Sequence, residues 1–240
     1  MDDESELQKQ FNEQFGPASW GEIRAALSWP SSRMLVAANL AALAGVLFAG
    51  WSVGFLMICY WAETLVIGAY TILKMFVAAR GEYFEWIVMT LIFILHFGTF
   101  MAGHGAFVVL LVTFLAIPIS ANPTMEQIGE IVLPLLADPW FKVAIAVMLV
   151  SHGVTFVQHV IRRRELEPRS VSGVMMDPYR RVLVMHAMIF LGAVLIMFIG
   201  ASKPFAIALV LLKTVADLGA HAREHEQEEL DQVQFPRGRA

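Results

Sequence analysis

Histidines are the most informative residues of this chain, because six of the seven lie inside long apolar runs or at their ends. Neutral imidazole and carboxylate groups are the usual protein ligands of transition metals. Ligand-type residues on four different apolar runs therefore predict a buried metal site, which some of these candidates form together. The candidate metal ligands are His96, His104, His152, His186, Asp217 and His221.

Glu63, in the second apolar run, is the candidate catalytic residue. If the metal kept an open coordination position, it could activate water or oxygen, and a carboxylate could serve as general acid or base. The expected cofactor is a transition metal ion, namely zinc, iron or copper. The H-E-x-x-H spacing of zinc proteases is absent. A single haem held by two histidines stays open as a further cofactor.

Two other functions fit the same residues. A ladder of ionisable groups across a helix bundle is also how proton relays are built, so a proton- or cation-coupled transporter is the alternative. A structural or assembly protein, whose polar groups only pack helices, is the second alternative. Lys213 and Asp217 stand four residues apart, which under this reading is a local ion pair. No phosphate loop or dinucleotide motif occurs, and nothing indicates nucleic-acid binding.

The composition indicates that a membrane surrounds the apolar runs. The chain is 58% hydrophobic and only 16% charged, whereas soluble domains are about half apolar and about a quarter charged. A helix of roughly 20 residues crosses the ~30 Å hydrocarbon core. We predict an all-α, polytopic membrane bundle of six transmembrane helices, formed by residues 34–51, 54–79, 85–117, 139–161, 178–200 and 204–222.

The distribution of basic residues predicts the orientation of the bundle. Thirteen Lys and Arg residues lie on the side that holds both termini, and two lie near helix ends on the opposite side. The positive-inside rule then places both termini in the cytoplasm. Residues 1–33 are predicted to be a cytoplasmic segment with an interfacial helix, 34–222 the six-helix membrane domain, and 223–240 a cytoplasmic tail.

Two short amphipathic helices are expected at the membrane surface. Ser19 with Glu22, and Thr124 with Gln127, have the spacing of a capping box, and each pair precedes apolar residues at helical intervals. Pro134 is expected to bend or end the second helix. Interfacial anchoring is the expected role of both helices.

Five segments, in this order, are similar to a bacterial membrane family known as domain of unknown function 6498. They are YWAETLVIGAYTILK at 60–74, HFGTFMAGHGAFV at 96–108, SHGVTF at 151–156, DPYRRVLVMH at 177–186 and LKTVADLGAHAREH at 212–225. The resemblance covers about residues 34–225 and implies a multi-pass protein of the bacterial inner membrane, with the lipid bilayer as its partner. It brings no activity and no catalytic residues. A homo-oligomer and a small-molecule or ion substrate stay open.

Overall fold

All the regular structure that can be described in this protein is helical. The computed structural model describes residues 30–117, 122–162, 169–199 and 206–219 except 216, with isolated residues outside these ranges. The predicted helix after Ser19, the tail 223–240 and the candidate ligand His221 lie outside the described residues. The chain divides into two compact units, one of residues 1–48 with 207–240 and the other of residues 49–206.

Six helices have defined bounds. They are α1 Pro30–Phe48, α2 Val53–Ala78, α3 Tyr83–Ala116, α4 Met125–Ala137, α5 Pro139–Thr155, which a π-helix Phe156–Arg162 continues, and α6 Val171–Ile199. By length and composition, α2, α3 and α5 with its π-helical continuation could each cross a membrane. A shorter apolar helix, Val36–Phe48, lies within α1. The all-α prediction is confirmed for the described residues, and three candidate spans support a membrane protein.

Helix α6 begins earlier than predicted, at Val171 rather than near residue 178. Ser170 supplies the start, since its hydroxyl accepts a hydrogen bond from the Gly173 backbone at 3.1 Å. The Arg169 guanidinium then binds both carboxylate oxygens of Asp177, at 2.8 and 2.6 Å. This two-point ion pair spans the first two turns of α6, and Pro178 lies inside the helix instead of beginning it.

The second predicted amphipathic helix is confirmed as α4. The Thr124 hydroxyl accepts from the Gln127 backbone at 3.3 Å, and the Gln127 amide oxygen accepts from the Thr124 backbone at 2.9 Å. This reciprocal capping box fixes the start of the helix. Pro134 lies inside α4 without ending it, and the helix continues to Ala137. Its position at the membrane surface stays a prediction.

Helices α2 and α3 form an antiparallel pair within the second unit. The Trp61 indole donates to the Met101 carbonyl at 3.0 Å and lies against Gly105, where a Cβ atom would come within 2.8 Å of the indole ring. Further along, Gly68 lies against the ring of Phe97. Glycines at these two points let large aromatic side chains of one helix contact the backbone of the other.

Helix α5 packs beside α2 and runs in the same direction. The Trp51 and Trp140 rings meet at one end, with centroids 6.2 Å apart. Two thirds of the way along α2, the Tyr70 hydroxyl donates to the Leu149 carbonyl at 2.8 Å. Gly153 provides the space, since a Cβ atom there would lie 2.8 Å from that hydroxyl. Helices α3 and α5 therefore both pack on α2, as α6 also does, and fourteen residues of α2 are buried.

Candidate functional site: a buried histidine pair

Two polar contacts align α3 with α6 in the second unit. His96 on α3 is hydrogen-bonded to the Tyr179 hydroxyl on α6, with Nδ1 and the oxygen 3.0 Å apart. Eight residues later on α3, the ring of His104 meets that of His186, with centroids 4.6 Å apart. Because the residue numbers rise together on both helices, α3 and α6 run parallel. The interface between them, called here the α3–α6 seam, thus has two polar levels.

His104 lies on the buried face of α3. That face is formed by Phe93, Phe97, Met101, His104, Val108 and Val112, at intervals of three and four residues. The side chain of His104 is 3% exposed, and both of its ring nitrogens lack a hydrogen-bond partner among the described residues. Leaving a buried polar group unpaired costs about 1–3 kcal/mol. An apolar side chain would therefore suit this position better if stability alone decided it.

His186, on the facing helix, is half-buried rather than fully buried. Its Nδ1 is buried and has no hydrogen-bond partner in the described part of the chain. Its ring contacts Phe100 at 4.8 Å and Phe190 at 5.2 Å between centroids. Phe100 also stacks on His104 at 6.0 Å, and Phe107 stacks on Phe190. The histidine pair thus lies between two layers of phenylalanine rings.

The structure does not bring the other candidate ligands of this unit to the pair. His96 is exposed and engaged by Tyr179. His152, on α5, lies beside the Tyr70 ring at 6.0 Å between centroids. The sequence grouped these histidines because each occurs on an apolar helix. Each instead has its own aromatic neighbour, Tyr179 for His96 and Tyr70 for His152.

Asp217 belongs to the first unit and is held there by local contacts. Lys213, one turn earlier, donates to its carboxylate at 2.5 Å, and the Asn39 amide of α1 donates to it at 3.4 Å. The i, i+4 ion pair considered for the structural alternative is therefore present. A carboxylate already neutralised by a lysine is a poor candidate for a metal ligand.

Glu63 is half-buried on α2. It follows Trp61 by two residues, and Trp61 packs on Gly105, so Glu63 lies near the level of His104 along the bundle. No group of three or more His, Cys, Asp or Glu able to hold a metal ion occurs among the described residues. The glutamate does not complete such a group with the pair, and its catalytic role stays a prediction.

The predicted cluster of six metal ligands is therefore not supported by the described residues. What remains is a site of two histidines. The two imidazole rings are also too close together to hold the haem considered above. Two axial bonds of about 2 Å would hold the ring centroids roughly 6 Å apart, on either side of the iron. The observed separation is 4.6 Å.

The comparison with protein families gives one match. A model of a family of unknown function (DUF6498) matches residues 23–234. The chain belongs to this family. No curated protein matches the chain, and no solved structure does. Membership confirms the family suggested by the five sequence segments, and since the family has no assigned activity, the function of this DUF6498 member has to be argued from its own residues.

Sequence reasoning named His104 and His186 among six candidate ligands but did not single them out as a pair. A usable signal was present, because His104 continues the series Phe93, Phe97 and Met101 at helical spacing. Bulky aromatic and thioether groups at that spacing indicate the packed face of a helix. Applied to this DUF6498 chain, that rule would have separated His104, which is buried, from His96, which is exposed.

Proposed function

We propose that this protein binds a transition metal ion inside its membrane domain, with His104 and His186 as two of the ligands. One observation carries the proposal: among the described residues, a histidine that is 3% exposed has two ring nitrogens without a hydrogen-bond partner, and it contacts a second histidine whose Nδ1 also lacks one. Imidazole nitrogens buried in this way are suited to a Lewis acid, which would supply the missing partner.

The spacing of the rings fits ligands on the same side of a metal. With metal–nitrogen bonds of about 2.0 Å, two imidazoles at neighbouring coordination positions have centroids roughly 4.5–5 Å apart. The observed value is 4.6 Å. Two protein nitrogens leave coordination positions for other groups, an arrangement of catalytic and transport sites rather than of closed structural ones. Glu63 remains the candidate acid or base for a catalytic site.

Metal analysis of the purified protein tests this proposal. The full chain, prepared without a histidine tag and loaded with zinc, iron or copper, is expected to retain about one equivalent of metal by mass spectrometry. His104→Leu and His186→Leu should each lose most of it. His96→Leu is the matched control, because His96 is on the same helix but bonded to Tyr179, and it should retain the metal. Less than a tenth of an equivalent in the loaded wild type would contradict the proposal.

A proton-coupled carrier is the second candidate, favoured by the two polar levels of the α3–α6 seam. Protonatable groups at successive depths are typical of proton pathways. Against it, Phe100 contacts both histidines of the pair, which puts an apolar ring at that end of the site. Liposomes containing the protein and a pH-sensitive dye separate the two functions, since only a carrier would show proton flux that disappears in His186→Leu.

We also propose that the membrane domain has six spans in the bacterial inner membrane, with both termini in the cytoplasm. Three described helices are long and apolar enough, and the lengths of the other apolar runs and the basic residues support the remainder. A reporter fused after Ala240 should be active only if it is of the cytoplasmic type, and one inserted at Asn122 only if it is of the periplasmic type. The reverse pattern would overturn the orientation.

A further inference from the structure

We propose that the ion held by the histidine pair is monovalent copper, Cu(I), and that the thioether of Met101 is its third ligand. This inference rests on the proposed function, because it names the ion and one more ligand of the same site. Three features of the seam carry it: the uncharged rings that contact the pair, the position of a buried methionine, and the aromatic surroundings.

The charge of the site favours a monovalent ion. The described contacts of the pair are the two imidazoles themselves and phenylalanine rings. No Asp or Glu among the described residues joins the pair in a three-ligand group. The cost of burying an ion without a counter-charge rises with the square of its charge. Two neutral nitrogens in such surroundings therefore suit a single positive charge far better than the two of zinc or ferrous iron.

Met101 is placed to complete the ligand set. It precedes His104 by three residues on α3, so the two side chains share a helix face. It is 1% exposed and belongs to one buried cluster with Val182, which precedes His186 by one turn on α6. Because α3 and α6 run parallel with His104 level with His186, Met101 lies near the level of Val182, about one turn before the pair. A thioether is a soft ligand, and soft ligands select Cu(I).

The phenylalanines on both sides of the pair favour the same ion. Phe100 and Phe190 lie 4.8 and 5.2 Å from the His186 ring between centroids, and neither side chain offers an oxygen ligand. Hard divalent ions prefer oxygen ligands and retain part of their water shell. A soft ion with few ligands loses less hydration free energy when it enters such a site, and the faces of the aromatic rings add a favourable contact with a cation.

Competition for Cu(I) under anaerobic conditions tests the inference. The full chain in detergent is titrated against a chromogenic Cu(I) chelator, and in parallel with zinc and cobalt. One equivalent of Cu(I) is expected, bound at least a hundredfold more tightly than either divalent ion. Met101→Leu should weaken Cu(I) binding at least tenfold. Met75→Leu is the matched control, since Met75 is 0% exposed in the same cluster but on α2, and it should bind as the wild type does.

X-ray absorption of the copper-loaded protein identifies the ligands directly. Nitrogen scatterers and one sulfur scatterer are expected, with the sulfur lost in Met101→Leu. If zinc or cobalt binds through His104 and His186 but Cu(I) does not, the inference is overturned while the proposed function stands. Copper without a sulfur scatterer, and with unchanged affinity in Met101→Leu, removes Met101 from the ligand set. Failure of every metal to bind overturns the proposed function and the inference together.

Discussion

Gly68→Ala is expected to lower the free energy of unfolding by about 2–3 kcal/mol, the upper part of the range for overpacking a core. A Cβ atom at Gly68 would lie 2.5 Å from Cε1 and 3.0 Å from Cζ of Phe97. Phe97 cannot withdraw easily, because it stacks on Phe93 at 4.6 Å and meets the edge of Tyr179 at 6.1 Å between centroids. The added methyl group therefore has to push α2 away from α3.

Denaturant unfolding in detergent, followed by tryptophan fluorescence, measures this effect. Gly98→Ala and Gly103→Ala are the controls, since no heavy atom lies within 4 Å of a Cβ placed at either position. Both should stabilise α3 by up to ~1 kcal/mol, because alanine favours a helix over glycine. Adding Phe97→Leu to Gly68→Ala should recover part of the loss. Equal stability of Gly68→Ala and Gly98→Ala would show that α2 and α3 do not pack as described.

Helix positions could be predicted from the sequence because apolar length and capping act locally. The run predicted at 54–79 became α2 Val53–Ala78, and the capping box at Thr124 starts α4 as expected. The start of α6 was missed because proline usually begins a helix, whereas here Ser170 caps the helix and Pro178 lies inside it.

The buried face of α3 could not be predicted from the positions of its polar residues. In a soluble helix, polar residues indicate the outer face, and in a membrane helix they are expected to face inward. By that expectation the face of α3 that carries His96 and Thr99, which Gly103 shares, would be buried, yet all three residues are exposed. Nearly every residue of α3 is apolar, so the burial of hydrocarbon does not choose a side. The buried face is decided instead by where large rings fit against small residues, as where Phe97 packs on Gly68.

His104→Leu is expected to raise the stability of the metal-free protein by about 1–3 kcal/mol. The substitution removes two buried ring nitrogens that have no hydrogen-bond partner in the described part of the chain, and leucine has a similar volume to the histidine it replaces. Purely structural helix packing, the second alternative above, makes the opposite prediction, namely that any loss of the histidine weakens the bundle. Unfolding of the metal-free variant and wild type, measured side by side in a chelator, distinguishes the two.

The same variant should lose its response to metal. A ligand at a hundred times its dissociation constant stabilises the folded state by about 2.7 kcal/mol, so loaded wild type should unfold at higher denaturant than the metal-free form. His104→Leu should unfold at one concentration with or without metal, while His96→Leu should keep the wild-type difference after a small loss from its broken bond to Tyr179. A stability gain combined with loss of the metal response would show that the protein keeps a histidine at position 104 although leucine packs better there. That result fits a binding residue, because a histidine that served packing alone would not weaken the fold.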